Sequence, residues 1–586
     1  MTAFSSRIDA FLDEFLALQP HWATSIGDHR FDDRWPDVTE AGRRQRLEFA
    51  DRWLAELREA ADATLTRDER IDRDLLVGEL EALRFSEEVL LQDAWDPLDW
   101  VYLLGFGLFP LTAREFAPLA ERLASMAGRL EAVGGVLAGA REVIGAHPTR
   151  PVSRLHTETA IRRLPGIGSI ARDAVAQAEA AAGADPAVAA VLPRLRAAHA
   201  AADAELERFG TWLAAEVLPG AEGEGLLGDE LFRAKLRHTL RDPDLAPQRL
   251  LERADAEFRA VRGEMVRLAR EAWPEWFPDR SIPDDDGRLV RDVLDAIAGE
   301  HVGPDDLLEE CRRELAGVEA FVRERDLIGL ADDPLEIRWT PEFLRSFGGA
   351  MLDSPGPLDR GQKAFFAVTP VREEWTPEEV ESYLRENNTR QARLLVIHEA
   401  VPGHYLQFVY ANRVPSIIRA AFASGLFAEG WAVYVTQVMM DEGYGAGDLA
   451  LWLSHWKFYL RAVTNAIIDV RIHTQGMTTD EAVRFMVEGG FQEEAEAKAK
   501  DERARLSSTQ LSTYFVGSLG MWDLEAEARR RAAIAAGAGL DAVPAPRVVG
   551  GYGPTPGFRY RDHLEAVISH GAPPIPLVRR ILFGEG

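Results

Sequence analysis

Residues 398 to 404 read His-Glu-Ala-Val-Pro-Gly-His. Two imidazoles and a carboxylate this close could hold a divalent ion and activate a water beside it. Helices that do this usually carry the histidines at i and i+4, on one face. Here the second histidine comes six residues after the first. In an unbroken helix, positions i and i+6 point about 120° apart and are displaced by about 9 Å, so they could not share one ion. Two residues must be absorbed, and Pro402-Gly403 can absorb them. Proline lacks an N–H and clashes with the carbonyl four residues back, which forces the helix open. Glycine takes dihedrals closed to other residues. The expectation is a helix through 390–397 that widens between Ala400 and Gly403, as inserted residues do in wide-turn bulges. His404 then returns to the face of His398.

A third ligand is expected at Glu429, in Phe427-Ala-Glu-Gly-Trp-Ala-Val-Tyr434, 25 residues after His404. That run is otherwise apolar, small or aromatic, and a carboxylate in it is costly to bury without a cation. Gly430 beside it would let another backbone come close. Glu399, next to the first histidine, is where a general base belongs. Taken alone, a chance His-Glu pair at a helix ending in Pro-Gly needs no metal. The lone glutamate in an apolar helix tips the reading toward a metal site.

The surrounding chain reads as helix for most of its 586 residues. Phe4, Ile8, Phe11, Leu12, Phe15 and Leu16 make a 3.6-period stripe over 4–18. The alanine-rich stretch 171–204 reads as two helices broken at Gly183-Ala-Asp-Pro186, and 278–287 reads as a loop. Texture changes after Leu330. Leu335–Trp339 and Ala364–Val368 read as strands. Gly348-Gly349 and Ser354-Pro-Gly-Pro357 are loop signals, and Thr376-Pro-Glu-Glu379 is a capping box. The expected fold is mostly α: a helical lobe over 1–330 and a catalytic lobe over 331–586, with a small sheet beside the histidine helix, the two lobes open to interleaving. If Ala364–Val368 lies at an exposed edge it could pair with an extended peptide, main chain to main chain. Phe365 and Phe366 of that strand, with Tyr434 and Gln510, are the expected substrate contacts. A plain structural hairpin is the alternative.

Composition bounds the rest. Apolar residues make up 46%, with 14 Trp and 27 Phe, enough for a large core. A net charge of −29 sets nucleic acid and anionic membranes aside as partners. The longest apolar stretch, 101–113, is too short for a bilayer. The N-terminal residues show no secretory pattern, and the single cysteine, Cys311, forms no internal disulfide. A cytoplasmic location is the expectation. No oligomeric state is legible.

His-Glu-Ala-Val-Pro-Gly-His-Tyr-Leu-Gln407 followed by Glu429-Gly-Trp-Ala-Val-Tyr434 resembles a bacterial domain-of-unknown-function family, number 885. That family is in turn similar to zinc metallopeptidases of the gluzincin group. The resemblance extends over Pro20–Gly27, over Asp469-Val-Arg-Ile-His473 with Gly476, and over Arg503, Gln510, Tyr514 and Gly517. Two departures stand out: Tyr405 where the family has a second histidine, and Ser508-Thr509 where it has Pro-Gly. The resemblance implies a helical peptidase-like fold, one zinc ion on His398, His404 and Glu429, and Glu399 as base. Tyr514 or His473 would donate to the oxyanion, with Tyr434 behind them. Alternatively Tyr514 tethers a loop, Tyr434 is core and His473 pairs with Asp469 along a helix. His455 reads as a surface or satisfied core residue. The implied activity is hydrolysis of short peptides. An amidase or esterase on a small metabolite and a non-catalytic helical binding protein are the competing readings.

Overall fold

The computed structural model describes residues 3–242, 245–341, 344–345, 349–372, 374–543 and 551–584. Gly348 of the expected loop lies outside these. The fold is mostly α, with one three-stranded sheet among the described residues. None of its described helices is long and apolar enough to cross a membrane.

The chain forms two compact units. The first comprises 1–226 with the short returns 341–346 and 355–363. Its first helix, Ala3–Leu18, buries Phe4, Ile8, Phe11 and Leu16, the predicted stripe. The alanine-rich stretch is two helices, Arg154–Ala182 and Pro186–Trp212. The break is set by Asp185, whose carboxylate accepts from the N–H groups of Ala187 and Val188, and by Pro186 in the first turn. The segment Pro20–Gly27 is held by Arg129, a fully buried guanidinium that donates to Thr24 Oγ1 at 2.6 Å and to the Arg34 carbonyl at 3.0 Å.

The second unit comprises 227–340, 347–354 and 364–586. The boundary expected at 330 is therefore misplaced by about a hundred residues. The change at 330 is from helix to strand, not from one unit to another. Helices between 228 and 325 bury their apolar stripes against the later helices. Pro247–Trp276 packs along Leu449–Gln475, tied by Arg471 to Asp255 at 3.0 Å and by the Tyr459 hydroxyl to Glu257 at 3.2 Å. Leu307–Arg325 is joined to Thr389–Glu399 by Arg393 and Glu314 at 2.7 Å. Cys311, on that same helix, is buried.

The sheet has the order β1 (Leu335–Trp339), β3 (Ala364–Val368), β2 (Ala350–Asp353). β3 runs parallel to β1, with Leu335 opposite Ala364, and antiparallel to β2, with Ala350 opposite Val368. Every residue of β3 is buried, the pattern of a strand covered on both faces. Both of its edges are taken, so it offers no edge to a peptide. Phe366 is fully buried and Phe365 lies under the Arg338 guanidinium, 3.4 Å from the ring centroid. The expected substrate contacts at Phe365 and Phe366 are core residues. The capping box at Thr376 and Glu379 starts the next helix, Pro377–Glu386, and β2 lies against the histidine helix.

Six helices carry the site: α1 (Thr389–Glu399), α2 (His404–Ala411), α3 (Gly425–Asp441), α4 (Leu449–Gln475), α5 (Glu494–Ser507) and α6 (Ser512–Ala535). α3 is buried on nearly all sides, as its uniform hydrophobicity requires. It crosses α6 with the two backbones in contact. A Cβ on Gly517 would lie 2.3 Å from the Leu426 carbonyl oxygen and 2.7 Å from the Gly430 Cα. A Cβ on Gly430 would lie 2.3 Å from the Gly517 carbonyl carbon. Gly517→Ala should therefore lower unfolding free energy by about 1–3 kcal/mol, the usual scale of overpacking. Gly263→Ala, on an open helix surface with nothing within 4 Å, should be neutral or stabilising by a few tenths up to about 1 kcal/mol. Equal effects of the two in chemical denaturation would contradict the close crossing.

Candidate metal centre

α1 is started by Asn388, whose side-chain oxygen accepts from the N–H groups of Arg390 and Gln391 at 3.1 Å. It stops at Glu399. The sequence predicts a widened helix here, and the structure shows a full interruption: α1 ends, the Val401–Pro402 peptide is cis, and α2 begins at His404. The wide turn survives as single hydrogen bonds, from Gly403 N–H to the Ile397 carbonyl at 3.0 Å and from Leu406 N–H to the Ala400 carbonyl at 3.3 Å. Gly403 is required for space and not for a left-handed φ, since φ is −72°. A Cβ there would stand 1.9 Å from the His398 carbonyl oxygen.

The turn brings His404 back beside His398, with ring centroids 4.9 Å apart and planes at 79°. α3 supplies Glu429. Its Oε2 lies 3.7 Å from Nε2 of His398 and 3.4 Å from Nε2 of His404. One ligand atom from each of these residues falls within 4.8 Å of the other two. Trp431, two residues after Glu429, donates its indole N–H to the Pro402 carbonyl at 2.9 Å. The helix that brings the glutamate thus also fastens the turn between the histidines. Tyr405 anchors α2 from the other side through its hydroxyl, which donates to the Asp333 carbonyl.

These distances can be tested against an ion. Donors about 2.1 Å from one zinc lie about 3.4 Å from each other at the tetrahedral angle. The two Glu429 separations match that edge. They are long for good hydrogen bonds, and the buried Glu429 Oε2 has no hydrogen-bond partner. Burial would push the Glu429 carboxyl up, yet His398 and His404 hold it well below the usual range, so it stays ionised. Burial would push His404 down, and Glu429, with Glu399 contributing, raises it instead. An anionic oxygen facing two imidazoles with no donor of its own fits a divalent cation, and the nitrogen and oxygen donors suit zinc.

Glu399 is buried at the end of α1 beside His398. α6 brings Tyr514, three residues before the glycine crossing. Its phenol is pushed up to about 12 by burial and by the charge of Glu429, so it remains an O–H donor at neutral pH. Arg503 of α5 donates to the Tyr514 hydroxyl at 3.2 Å and to the Gln510 side-chain oxygen at 3.0 Å. Gln510 thus serves here as a partner of Arg503. The ring of Phe458, on α4, meets His398 edge to face at 5.4 Å.

Two expected site residues do other work. His473 is buried with both ring nitrogens engaged: Nε2 donates to the Ala504 carbonyl at 3.0 Å, and Nδ1 accepts from Leu227 N–H at 3.3 Å. No N–H is left for an oxyanion. Its neighbour Asp469 accepts from Thr509 N–H at 2.9 Å, Ser512 N–H at 3.0 Å and Ser512 Oγ at 2.6 Å. Asp469 thus fixes the loop that carries Gln510 and the first residue of α6, which carries Tyr514. Thr509 sits in that loop at φ +72°, a conformation that suits glycine and strains a β-branched residue. Tyr434 donates to Glu525 at 2.7 Å, inside a buried group with Arg529 and Tyr560, and is a core tether with no face to a substrate. His455 is a buried core residue whose Nε2 bonds to the Gln437 side-chain oxygen at 2.7 Å, while its buried Nδ1 has no hydrogen-bond partner.

The sequence reading gave Arg503 no role. Its signal was present: Glu496, Lys500 and Arg503 fall at i, i+4 and i+7, one face of α5. Because His404 must lose a proton to ligate, zinc affinity should rise as pH climbs through and above the ordinary histidine range. Competition with a chelating dye across that range measures it. An affinity independent of pH would exclude the histidines as ligands.

The comparisons with known proteins agree on the fold. A protein from Shewanella oneidensis, described as a proposed lipoprotein of unknown function, superposes with a TM-score of 0.80 at 30% identity, over 99% of this chain and 100% of that one. The proposed lipoprotein from Colwellia psychrerythraea superposes with a TM-score of 0.72 at 15% identity, over 99% and 98%. No curated protein matches the chain. Residues 20–582 match the family described as bacterial protein of unknown function (DUF885), and with nearly its whole length inside that match the chain belongs to this family.

Proposed function

We propose that the chain is a zinc-dependent hydrolase acting on the amide bonds of short peptides. The observation that carries this reading is a set of three donor atoms within 4.8 Å of one another, with Glu429 3.4 Å and 3.7 Å from the two imidazoles, flanked by a carboxylate and a protonated phenol. His398, His404 and Glu429 would hold the ion. When bound, zinc supplies a water of lowered pKa and a polarised carbonyl. Glu399 takes the proton from the attacking water as the C–O bond forms, then passes it to the leaving nitrogen as the C–N bond breaks. The Tyr514 hydroxyl donates to the oxyanion, and Arg503 behind it adds positive charge where negative charge develops.

The two solved relatives are described as lipoproteins, which sets an extracytoplasmic location against the cytoplasmic one that a single cysteine suits. Cell fractionation of a producing strain decides between them.

Purified protein should take up one equivalent of zinc, and His404→Ala should lose it. Glu399→Gln should keep the metal and lower peptide hydrolysis by at least about a hundredfold, at the lower end of what a positioned base contributes. Tyr514→Phe should lower kcat by about 10²–10³, the scale of one oxyanion donor, with little change in KM. A peptide-library digest is the assay. A zinc-loaded wild type that cleaves esters or metabolite amides and leaves every peptide intact would replace peptidase with metabolite hydrolase.

A further inference from the structure

Beside the metal centre, α4 and α5 present a wall of charged groups. Lys457 donates to Glu386 at 2.9 Å, and Arg461 lies 2.7 Å from Glu386 and 3.1 Å from Glu496. Among the described residues Lys500 reaches only Glu496, at 3.6 Å. Arg503, next along α5, donates to the neutral oxygens of Gln510 and Tyr514. Four cations thus stand against two carboxylates, apart from the metal ligand Glu429 and the base Glu399. This local excess is built into a chain whose net charge is −29. The groups are sheltered yet reachable: side-chain exposure is 12% for Lys457, 18% for Arg461 and 15% for Lys500. Sheltered cations in excess are costly unless an anion completes them.

We infer that this wall receives the C-terminal carboxylate of the substrate, on Lys500 and Arg461, so that the enzyme trims peptides from their C-terminal end. The inference rests on the peptidase reading. Geometry sets the reach. Lys500 precedes Arg503 by three residues on one helix face, about 4.5 Å along the axis. An extended peptide advances about 3.4 Å per residue. With the scissile carbonyl at Tyr514, beside Arg503, a carboxylate at Lys500 belongs to a residue one or two places beyond the cleaved bond. The sign of the wall fixes the direction, because an N-terminal amine would be repelled. Burial draws Lys500 down to about 8, and Arg503 and Arg461 add to that, opposed only by Glu496. A bound carboxylate relieves this strain and a bound amide does not.

Calorimetry on zinc-loaded Glu399→Gln protein tests it, using acetyl-tetra-alanine, its C-terminal amide, and the amide of acetyl-tri-alanyl-glutamate. The free acid should bind at least about tenfold tighter than either amide. Adding Lys500→Met should bring the ratio close to one with zinc content unchanged, and Lys500→Arg should restore the preference. The same three peptides are then offered to wild-type enzyme. Cleavage of acid and amide at equal rates, with equal binding, overturns the inference and leaves the peptidase reading intact. Preferential binding of the acid with no cleavage of any peptide keeps the carboxylate pocket and defeats the peptidase reading. Binding of the glutamyl amide as tight as the acid shows a side-chain carboxylate pocket and overturns terminal recognition. Absence of both binding and cleavage defeats both.

Discussion

The contact between Gly430 and Gly517 sets the scale of the site. Two helices whose backbones touch cannot shift relative to each other without a clash, because no side chain lies between them to repack. Glu429 precedes one glycine and Tyr514 lies three residues before the other. The separation between the candidate metal ligand and the candidate oxyanion donor is therefore fixed by main chain, the stiffest part of the molecule. Trp431 carries this rigidity into the third element, because its indole holds the Pro402 carbonyl and hence the turn that swings His404 back toward His398. One residue triplet, Glu429-Gly430-Trp431, thus presents a ligand, permits a helix crossing and fastens a turn.

A second layer holds the donor side. The hydrogen bonds of Asp469 and His473 go to backbone groups and to the Ser512 hydroxyl at the start of α6, and the His473 ring stacks on Phe232 with centroids 5.4 Å apart. Burial raises Asp469 to about 6, against the three hydrogen bonds it accepts. Because its folded value is raised, the contribution of Asp469 to stability is fullest below the ordinary carboxylate range and is lost as pH rises through about 6. The price of the arrangement appears at Thr509, held at a positive φ by its N–H to Asp469 and by its hydroxyl to Thr239 at 2.8 Å. Strain at such a position persists only where neighbours over-determine it.

What the sequence made legible and what it hid follow from range. The candidate donors could be brought together from sequence because each betrays itself locally: a histidine pair split by Pro-Gly, and a carboxylate alone in an apolar helix. The helical periods at Ala3–Leu18 and the break at Asp185 are local too. The boundary at 226 was hidden because helices on both sides of it have the same amphipathic texture, and only their packing partners differ. The place of β3 in the sheet is set by its partners in the same way. Five apolar residues in a row signal burial, and a strand buried on both faces in a three-stranded sheet is the middle one, which leaves no edge for a ligand. Tyr434 is suggested as a substrate contact and His473 as an oxyanion donor by their motif neighbours. Their hydrogen-bond partners, Glu525 and Leu227, lie 91 and 246 residues away, beyond any local pattern.

The charges around the site divide by partner. Glu429 and Glu399 are spoken for by the histidines and by the chemistry proposed for them. Glu386 and Glu496 are shared among Lys457, Arg461 and Lys500. Burial would push Glu496 up, yet Arg461 and Lys500 hold it at about 2, so it cannot relieve the imbalance by protonating. Nor can the arginines relieve it, since a guanidinium does not deprotonate in proteins. Lys500 can yield its charge, and burial draws it down to about 8. In an acidic protein such a cationic surface repels nothing anionic once a ligand is inside, while the surrounding negative field disfavours anions at a distance. The expected consequence is selectivity by position: an anion is accepted only where it reaches the wall, beside the metal centre, and an acidic polymer is turned away.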